Sequence, residues 1–287
     1  MSEPTHREVT IEALDGYPLG ASVLDGAGAA RPWVIINPAV GTPHRFYRRF
    51  GAFLADHGYA VVSYDYRGIG ASSPDRLRGF PADMRDWGER DFGGVLRWVT
   101  ARADGRGVVV IGHSFGGQIL GMPPSGHDLR ASVVVASQSG YWGHWPWPSR
   151  LWVGALWWAV IPATTALAGY FPSRLIGFGE ALPTAAARQW ARWGRHPDYL
   201  FGDLDRASRA RYDAIDAPML VWSFTDDPIA IEPAVRKLLE GYPRARVEWR
   251  HVSPADLRMR SVGHHGFFRE SALDALWRPT LEWLEAH

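Results

Sequence analysis

A Gly-x-Ser-x-Gly motif directly after a buried strand is the feature that most constrains this chain. The apolar run at 108–111 leads into Gly-His-Ser-Phe-Gly at 112–116, and a glycine pair opens a helix at 116–120. Such a strand–turn–helix elbow strains the backbone of its serine and requires small residues two positions before and after it. Both positions are glycine here, although the pentapeptide alone would also fit an ordinary glycine-rich turn. The context therefore predicts Ser114 as a nucleophile and the Phe115 N–H as a donor to an oxyanion.

Predicted strands and helices alternate along the chain. The strands cover 9–14, 17–24, 33–36, 60–64, 108–111, 131–136, 218–224 and 246–252, and the helices cover 47–57, 84–103, 116–120, 233–241 and 271–286. This alternation predicts an α/β fold with a mostly parallel, doubly wound sheet and right-handed crossovers. A length of 287 residues fits one large domain with room for an inserted unit.

The overall composition excludes several classes of function. Lys and Arg number 31 against 30 for Asp and Glu, and no basic block predicts a nucleic-acid partner. The absence of cysteine excludes disulfides, thiolate zinc sites and a cysteine nucleophile. No His-Glu-x-x-His spacing is present, so we expect neither a metal nor another cofactor. Residues 1–8 are polar and charged, unlike a signal peptide, and the expected location is the cytoplasm.

A tryptophan-rich segment divides the chain into three parts. Of the 15 tryptophans, eight lie in this segment: Trp142, Trp145, Trp147, Trp152, Trp157, Trp158, Trp190 and Trp193. We expect a catalytic core at 1–140 and 206–287 and a helical cap at 141–205, with Tyr141, Trp142 and Trp145 contacting substrate.

Residues 151–171 of this segment carry no charge and are long enough to span a bilayer. Pro162, in the middle of the run, and the flanking catalytic fold favour a cap on the sheet instead of a span. A lid that rests on a lipid or micelle surface is a further alternative.

The chain resembles the α/β-hydrolase fold over nearly its whole length. The resemblance rests on the elbow at 112–116, on Asp-x-Arg-Gly-x-Gly-x-Ser at 65–72, and on a late acid and histidine. Within the superfamily it most resembles a bacterial group of predicted hydrolases, largely uncharacterised, from the serine aminopeptidase/lysophospholipase-like branch. The stretches that carry this closer resemblance are 138–142, 189–193 and 263–269.

The resemblance implies a catalytic order of serine, acid and histidine. Asp227 fits the acid best because it follows the strand at 218–224 by three residues. Asp226 is the alternative acid, and if Asp227 is the acid we expect Asp226 to cap the next helix. His264 fits the base because it directly follows a glycine, and His265 is the fallback.

The second oxyanion donor is expected from the loop after the third strand. Residues 37–42 read Asn-Pro-Ala-Val-Gly-Thr, whereas many relatives begin this loop with His-Gly. Pro38 has no N–H, which leaves Ala39 or Val40 as the donor. Arg67 is expected to tie neighbouring loops together and to take no part in catalysis.

These residues predict a serine hydrolase that cleaves a carboxylic ester, including lipid-like esters, through an acyl-enzyme. The substrate is a small molecule with an apolar acyl or alkyl part, and the sequence makes no prediction of oligomeric state. Alternatives are a thioesterase, an aminopeptidase, another reaction on the same scaffold, or a non-catalytic protein that binds an apolar ligand. A histidine beyond hydrogen-bond reach of the serine would favour the last of these.

Overall fold

The main sheet has eight strands in the part of the chain that the structure describes. The computed structural model describes residues 5–26, 31–125, 128–177 and 179–287, with the side chains of Thr5 and Ile176 left undescribed. In chain order the strands are β1 (Thr5–Glu12), β2 (Pro18–Asp25), β3 (Trp33–Asn37), β4 (Ala60–Tyr64), β5 (Val108–His113), β6 (Ala131–Val135), β9 (Pro218–Phe224) and β10 (Arg246–Val252). A separate antiparallel pair joins β7 (Tyr170–Phe171) to β8 (Leu182–Pro183), and the sequence did not predict it.

Strand order in the sheet is β1-β2-β4-β3-β5-β6-β9-β10. The first two strands form an antiparallel hairpin and β2 pairs antiparallel with β4, whereas every other pair is parallel. Strands β3 to β6 are buried along their whole length, as expected for central strands covered by helices on both faces. The predicted mostly parallel, doubly wound sheet is therefore confirmed.

The helices occupy the predicted places with different internal geometry. They are α1 (Arg48–Asp56), α2 (Gly93–Thr100), α3 (Phe115–Gln118), α4 (Ser149–Ala155), α5 (Ile161–Ala168), α6 (Thr184–Arg195), α7 (Arg206–Asp213), α8 (Glu232–Leu239) and α9 (Arg278–Ala286). Stretches of π-helix, Asp86–Phe92 and Leu273–Trp277, precede α2 and α9 inside the regions predicted as single helices. The elbow helix α3 stops earlier than predicted, since two of its residues are glycine and the prolines at 123 and 124 follow closely.

Between β6 and β9 the chain leaves the sheet and forms most of its extra helices. A π-helical stretch, Leu156–Val160, joins α4 to α5, so that Ser149–Ala168 is one continuous helix of 20 residues. Its length and composition would permit a membrane span, and 22 % of its most apolar window is buried against the protein. We call residues 141–205 the Trp-rich insert.

Candidate active site

The turn between β5 and α3 holds Ser114 in a strained conformation. Ser114 has φ 52° and ψ −115°, a combination that few non-glycine residues adopt. A β-carbon on Gly112 would collide with the backbone of α3, and one on Gly116 would collide with the carbonyl oxygen of Asn37. Both glycines are therefore required by close backbone approach, as the motif predicted.

Buried Asp227 and half-buried His264 form a hydrogen-bonded pair at the carboxyl edge of the sheet. His264 Nδ1 lies 2.8 Å from Asp227 Oδ2, and the other carboxylate oxygen accepts the Ile229 and Ala230 N–H groups at 2.8 and 3.0 Å. Burial alone would raise the pKa of Asp227, but the His264 hydrogen bond and these two N–H donors outweigh it and lower the pKa below its usual value. The carboxylate is thus ionised and oriented to hold a proton on His264 Nδ1.

The neighbouring acid, Asp226, binds backbone N–H groups, whereas the His264 ring hydrogen-bonds to Asp227. Its two oxygens accept the backbone N–H groups of Val262 and Gly263 at 2.9 and 3.0 Å. No side-chain cap is present at the start of α8, so the expected helix-capping role is wrong. Asp226 instead fixes the loop that carries His264.

Ser114 and His264 line the same small pocket, of about 30 Å³. Ala39, Val40 and His265 also line it. Within the described ranges, no hydrogen bond joins Ser114 Oγ to His264. Catalytic hydrogen bonds are often long before substrate binds, so this geometry is compatible with a serine–histidine pair.

The two alternatives for the second oxyanion donor differ in their hydrogen bonding. The Ala39 N–H donates to Tyr47 Oη at 2.8 Å, which occupies it. The Val40 N–H has no hydrogen-bond partner in the part of the chain that the structure describes, and neither has the Phe115 N–H at the start of α3. This arrangement favours Val40 over Ala39 as the partner of Phe115.

His265, the fallback base, is poorly suited to accept a proton. Its ring packs against the rings of Phe46, His113 and His264. Burial and the neighbouring His264 lower the pKa of His265 from its ordinary 6.5 to about 4. It also has no carboxylate partner among the described residues, so it lacks the orienting hydrogen bond that His264 receives.

A larger apolar chamber of about 430 Å³ adjoins this small pocket under the Trp-rich insert. The two cavities share Gln138, Trp190 and Ile229 as lining residues. Gly140, which precedes the insert, and Pro228, in the loop after β9, also line the chamber. The insert itself contributes Trp145, Trp152, Val153, Ala155, Leu156, Trp157 and Val160. A wall of this composition suits an apolar chain.

The predicted substrate-contacting residues occupy three different places. Trp145 lines the chamber, whereas Trp142 lines a separate open groove. Tyr141 lines neither of these cavities and packs on the rings of Trp142 and His144. Sequence reasoning did not single out Trp152, Trp157 or Trp190 as lining residues, although all three belong to the tryptophan cluster that marked the segment.

Among the described residues that line the chamber, Gln138 alone has an amide side chain, and the others are glycine or apolar and aromatic residues. It is 5 % exposed, and its Oε1 is buried without a hydrogen-bond partner in the described part of the molecule. An unpaired buried amide costs stability unless a ligand or water pairs with it. Its place at the junction of both cavities makes it a candidate for contact with a polar part of the substrate.

Arg67 ties loops together, as expected. Its guanidinium donates to both oxygens of Asp15 at 2.7 and 2.8 Å and through Nε to Asp91 at 2.7 Å. The backbone N–H of Arg67 donates to the same Asp91. Arg67 lines neither the small pocket nor the chamber.

A sheet of this order, with a serine elbow after β5 and an acid–histidine pair at its carboxyl edge, defines an α/β-hydrolase. The chain belongs to the alpha/beta hydrolase family, whose model matches residues 26–278. No curated protein matches it in sequence.

Solved structures of low sequence identity share this fold. A soluble variant of monoglyceride lipase from Saccharomyces cerevisiae, in complex with a substrate analog, is 15 % identical with a TM-score of 0.72, covering 100 % of this chain and 96 % of the lipase. Brefeldin A esterase, a bacterial homologue of human hormone sensitive lipase, is 18 % identical with a TM-score of 0.61, covering 99 % and 77 %. An esterase from Pyrococcus furiosus is 14 % identical with a TM-score of 0.59, covering 98 % and 92 %.

Proposed function

We propose that this protein is a serine hydrolase that cleaves carboxylic esters with an apolar acyl or alkyl part. The observation that carries the proposal is the Asp227–His264 hydrogen bond of 2.8 Å, which orients a histidine that lines the same pocket as the strained Ser114. Solved esterases and lipases with this fold are consistent with it.

In the first step His264 Nε2 takes the proton from Ser114 Oγ, and the oxygen attacks the ester carbonyl carbon. Asp227 keeps the other ring proton on Nδ1 and stabilises the imidazolium that forms. The negative charge that develops on the carbonyl oxygen is met by the Phe115 and Val40 N–H groups. Ser114 Oγ and His264 Nε2 come within hydrogen-bond distance when substrate binds, because catalytic hydrogen bonds that are long in the free enzyme shorten in the Michaelis complex.

The intermediate then collapses, and His264 gives its proton to the departing alkoxide. Water enters, loses a proton to His264 and attacks the acyl carbon. The bond to Ser114 Oγ then breaks, His264 returns the proton to that oxygen, and the acid is released. No step requires a further ionisable side chain.

The size of the chamber determines how long the apolar part of the substrate can be. Each methylene group that it buries contributes about 0.8 kcal/mol, so kcat/KM should rise roughly fourfold per added methylene until the chamber is full. A substrate panel of ester, thioester and small amide derivatives of one acyl chain distinguishes the alternative leaving groups.

Labelling by a fluorophosphonate tests the nucleophile. We expect covalent labelling of the wild type, none of Ser114→Ala, and turnover of p-nitrophenyl esters that rises with acyl length. Ser132→Ala is a matched control because Ser132 is buried in β6 and its hydroxyl has no partner within the described ranges. Absence of labelling together with absence of turnover at every acyl length would contradict the proposal.

A non-catalytic binding protein for an apolar ligand is the second candidate. The observation in its favour is that no hydrogen bond joins Ser114 Oγ to His264 within the described ranges. It predicts tight binding of a fatty acid by wild type and Ser114→Ala alike, with neither labelling nor hydrolysis.

A further inference from the structure

The large apolar side chains on the surface of this protein are concentrated on the Trp-rich insert. Seven such side chains are exposed within the described ranges, and six of them lie between 147 and 175: Trp147 (68 %), Leu151 (55 %), Trp152 (77 %), Trp158 (49 %), Leu167 (83 %) and Leu175 (84 %). Scattered apolar residues are normal on a protein surface, but a contiguous group points to a binding surface.

The long helix at Ser149–Ala168 has two distinct faces. Trp157, Ile161 and Thr165, spaced by four residues, are buried against the protein. The opposite side, which we call the outer face, is exposed at 151–152, 158–159, 163 and 166–167, and each of these residues is apolar. The helix is therefore apolar toward the protein and toward its surroundings.

The long helix and the residues that flank it, at 141–179, carry basic charge only. Residues 141–179 contain no Asp or Glu. Two exposed arginines lie beside the C-terminal half of the helix, with Arg188 Nε donating to Thr165 Oγ1 at 3.0 Å and the Arg78 stem packing next to Gly169. Neither is ion-paired within the described ranges.

We propose that the outer face docks flat on the surface of a lipid bilayer with anionic head groups. Tryptophan and leucine on such a face enter the boundary between head groups and acyl chains, while the two arginines at the C-terminal half of the helix meet lipid phosphates. The helix does not cross the bilayer, because its inner face stays packed on the protein through Trp157 and Ile161. A second copy of the chain fits less well, because it would bring the same unpaired arginines together.

Docking would place the chamber mouth at the lipid. Trp152 lines the chamber and is also part of the outer face. An amphiphilic ester could then pass from the bilayer into the chamber without crossing water. This last step rests on the proposed hydrolase activity, whereas the docking itself does not.

Vesicle sedimentation of full-length Ser114→Ala tests the docking without any catalysis. The probes are vesicles of phosphatidylcholine alone and of phosphatidylcholine with phosphatidylglycerol. We expect binding to the mixed vesicles, weakened by salt, with tryptophan emission shifted to shorter wavelength. Arg78→Gln combined with Arg188→Gln should weaken this binding roughly 30-fold, at about 1 kcal/mol per cation.

A triple variant with serine at Trp147, Leu151 and Leu167 tests the apolar contact. These side chains line neither the small pocket nor the chamber. We expect vesicle affinity to fall on the order of 100-fold or more while the hydrolysis of a soluble short-chain ester stays unchanged. Val247→Ser is the matched control, because Val247 is an exposed apolar residue on β10, outside the insert.

Three results would overturn the docking proposal. The first is no binding to either kind of vesicle, or equal binding to both. The second is a dimer in sedimentation analysis that the triple variant disperses, which would assign the outer face to a second copy. The third is resistance of the bound protein to salt and alkaline washing, which would indicate a span. Failure of esterase activity alone leaves the vesicle results standing and refutes only the proposed function.

Discussion

His113, the residue before Ser114, has its Nε2 2.8 Å from the backbone carbonyl oxygen of His264. Because a carbonyl only accepts, Nε2 carries the ring proton and Nδ1 accepts the Tyr47 hydroxyl at 2.9 Å. Tyr47 Oη in turn accepts the Ala39 N–H. Burial, aided by His264 and His265, lowers the pKa of His113 well below its usual value and keeps it neutral. His113 and Tyr47 thus join the loop that carries His264 to the loop that carries Ala39 and Val40.

Replacing Tyr47 by phenylalanine should separate these two loops. The variant leaves the Ala39 N–H and His113 Nδ1 unpaired, so we expect a free energy of unfolding lower by about 1–3 kcal/mol. We expect kcat to fall about 10- to 100-fold through misplacement of the oxyanion donor, with little change in KM because the chamber is untouched. Tyr59→Phe is the control, since Tyr59 is also buried but its hydroxyl contacts Arg31 instead. Equal kinetics in the two variants would refute the positioning role.

Asp227→Asn tests which carboxylate orients the histidine. An amide cannot impose the same tautomer on His264, and the comparable change in a serine protease costs about 10⁴ in kcat. Asp226→Asn keeps one acceptor for the 262–263 loop and should cost far less, mainly through a more mobile loop. Steady-state kinetics on one ester decide between the two, and a larger loss in Asp226→Asn would reverse the assignment.

The stability of the protein should decrease as the pH falls below 7, partly because of His265. The unfolded chain binds a proton on this side chain near pH 6.5, whereas the folded pKa is about 4. Acidification from pH 7 to 5 therefore favours the unfolded state by about 1–2 kcal/mol through this group. Urea unfolding across this range should show a shallower decline for His265→Phe, which keeps a ring beside Phe46 and His113. Parallel pH profiles for both proteins would contradict the shift.

Local sequence was enough to locate the elbow and to nominate the acid and the base. Glycines at 112 and 116 are needed by contacts within a few residues or with the adjacent strand, and Asp227 follows a strand end that apolar pattern alone defines. The sheet was also predictable from local pattern, because segments rich in β-branched residues alternate along the chain with segments of helical periodicity.

Contacts between distant parts of the chain could not be predicted from the sequence. The choice between Ala39 and Val40 depends on Tyr47, which sequence spacing does not place beside either amide. The role of Asp226 depends on the backbone of residues 262 and 263, far along the chain. Composition marked the Trp-rich insert, but only its packing separates Trp145, which lines the chamber, from Trp142, which does not.

The unpaired amide of Gln138 should act on specificity and oppose stability. Gln138→Met removes a buried polar group without a partner, so we expect an unfolding free energy equal to wild type or higher by about 1 kcal/mol. Gln189→Met is the matched control: Gln189 is equally buried, but its Oε1 accepts the Met84 N–H at 2.7 Å, and the same change should cost about 1–3 kcal/mol. In Gln138→Met, kcat/KM for an ester with a hydroxyl group near the carbonyl should fall about tenfold relative to that for the plain alkyl ester, because one hydrogen bond at the cavity junction is lost. Equal destabilisation by both substitutions, or an unchanged ratio of kcat/KM between the two esters, would show that the Gln138 amide does not bind the substrate.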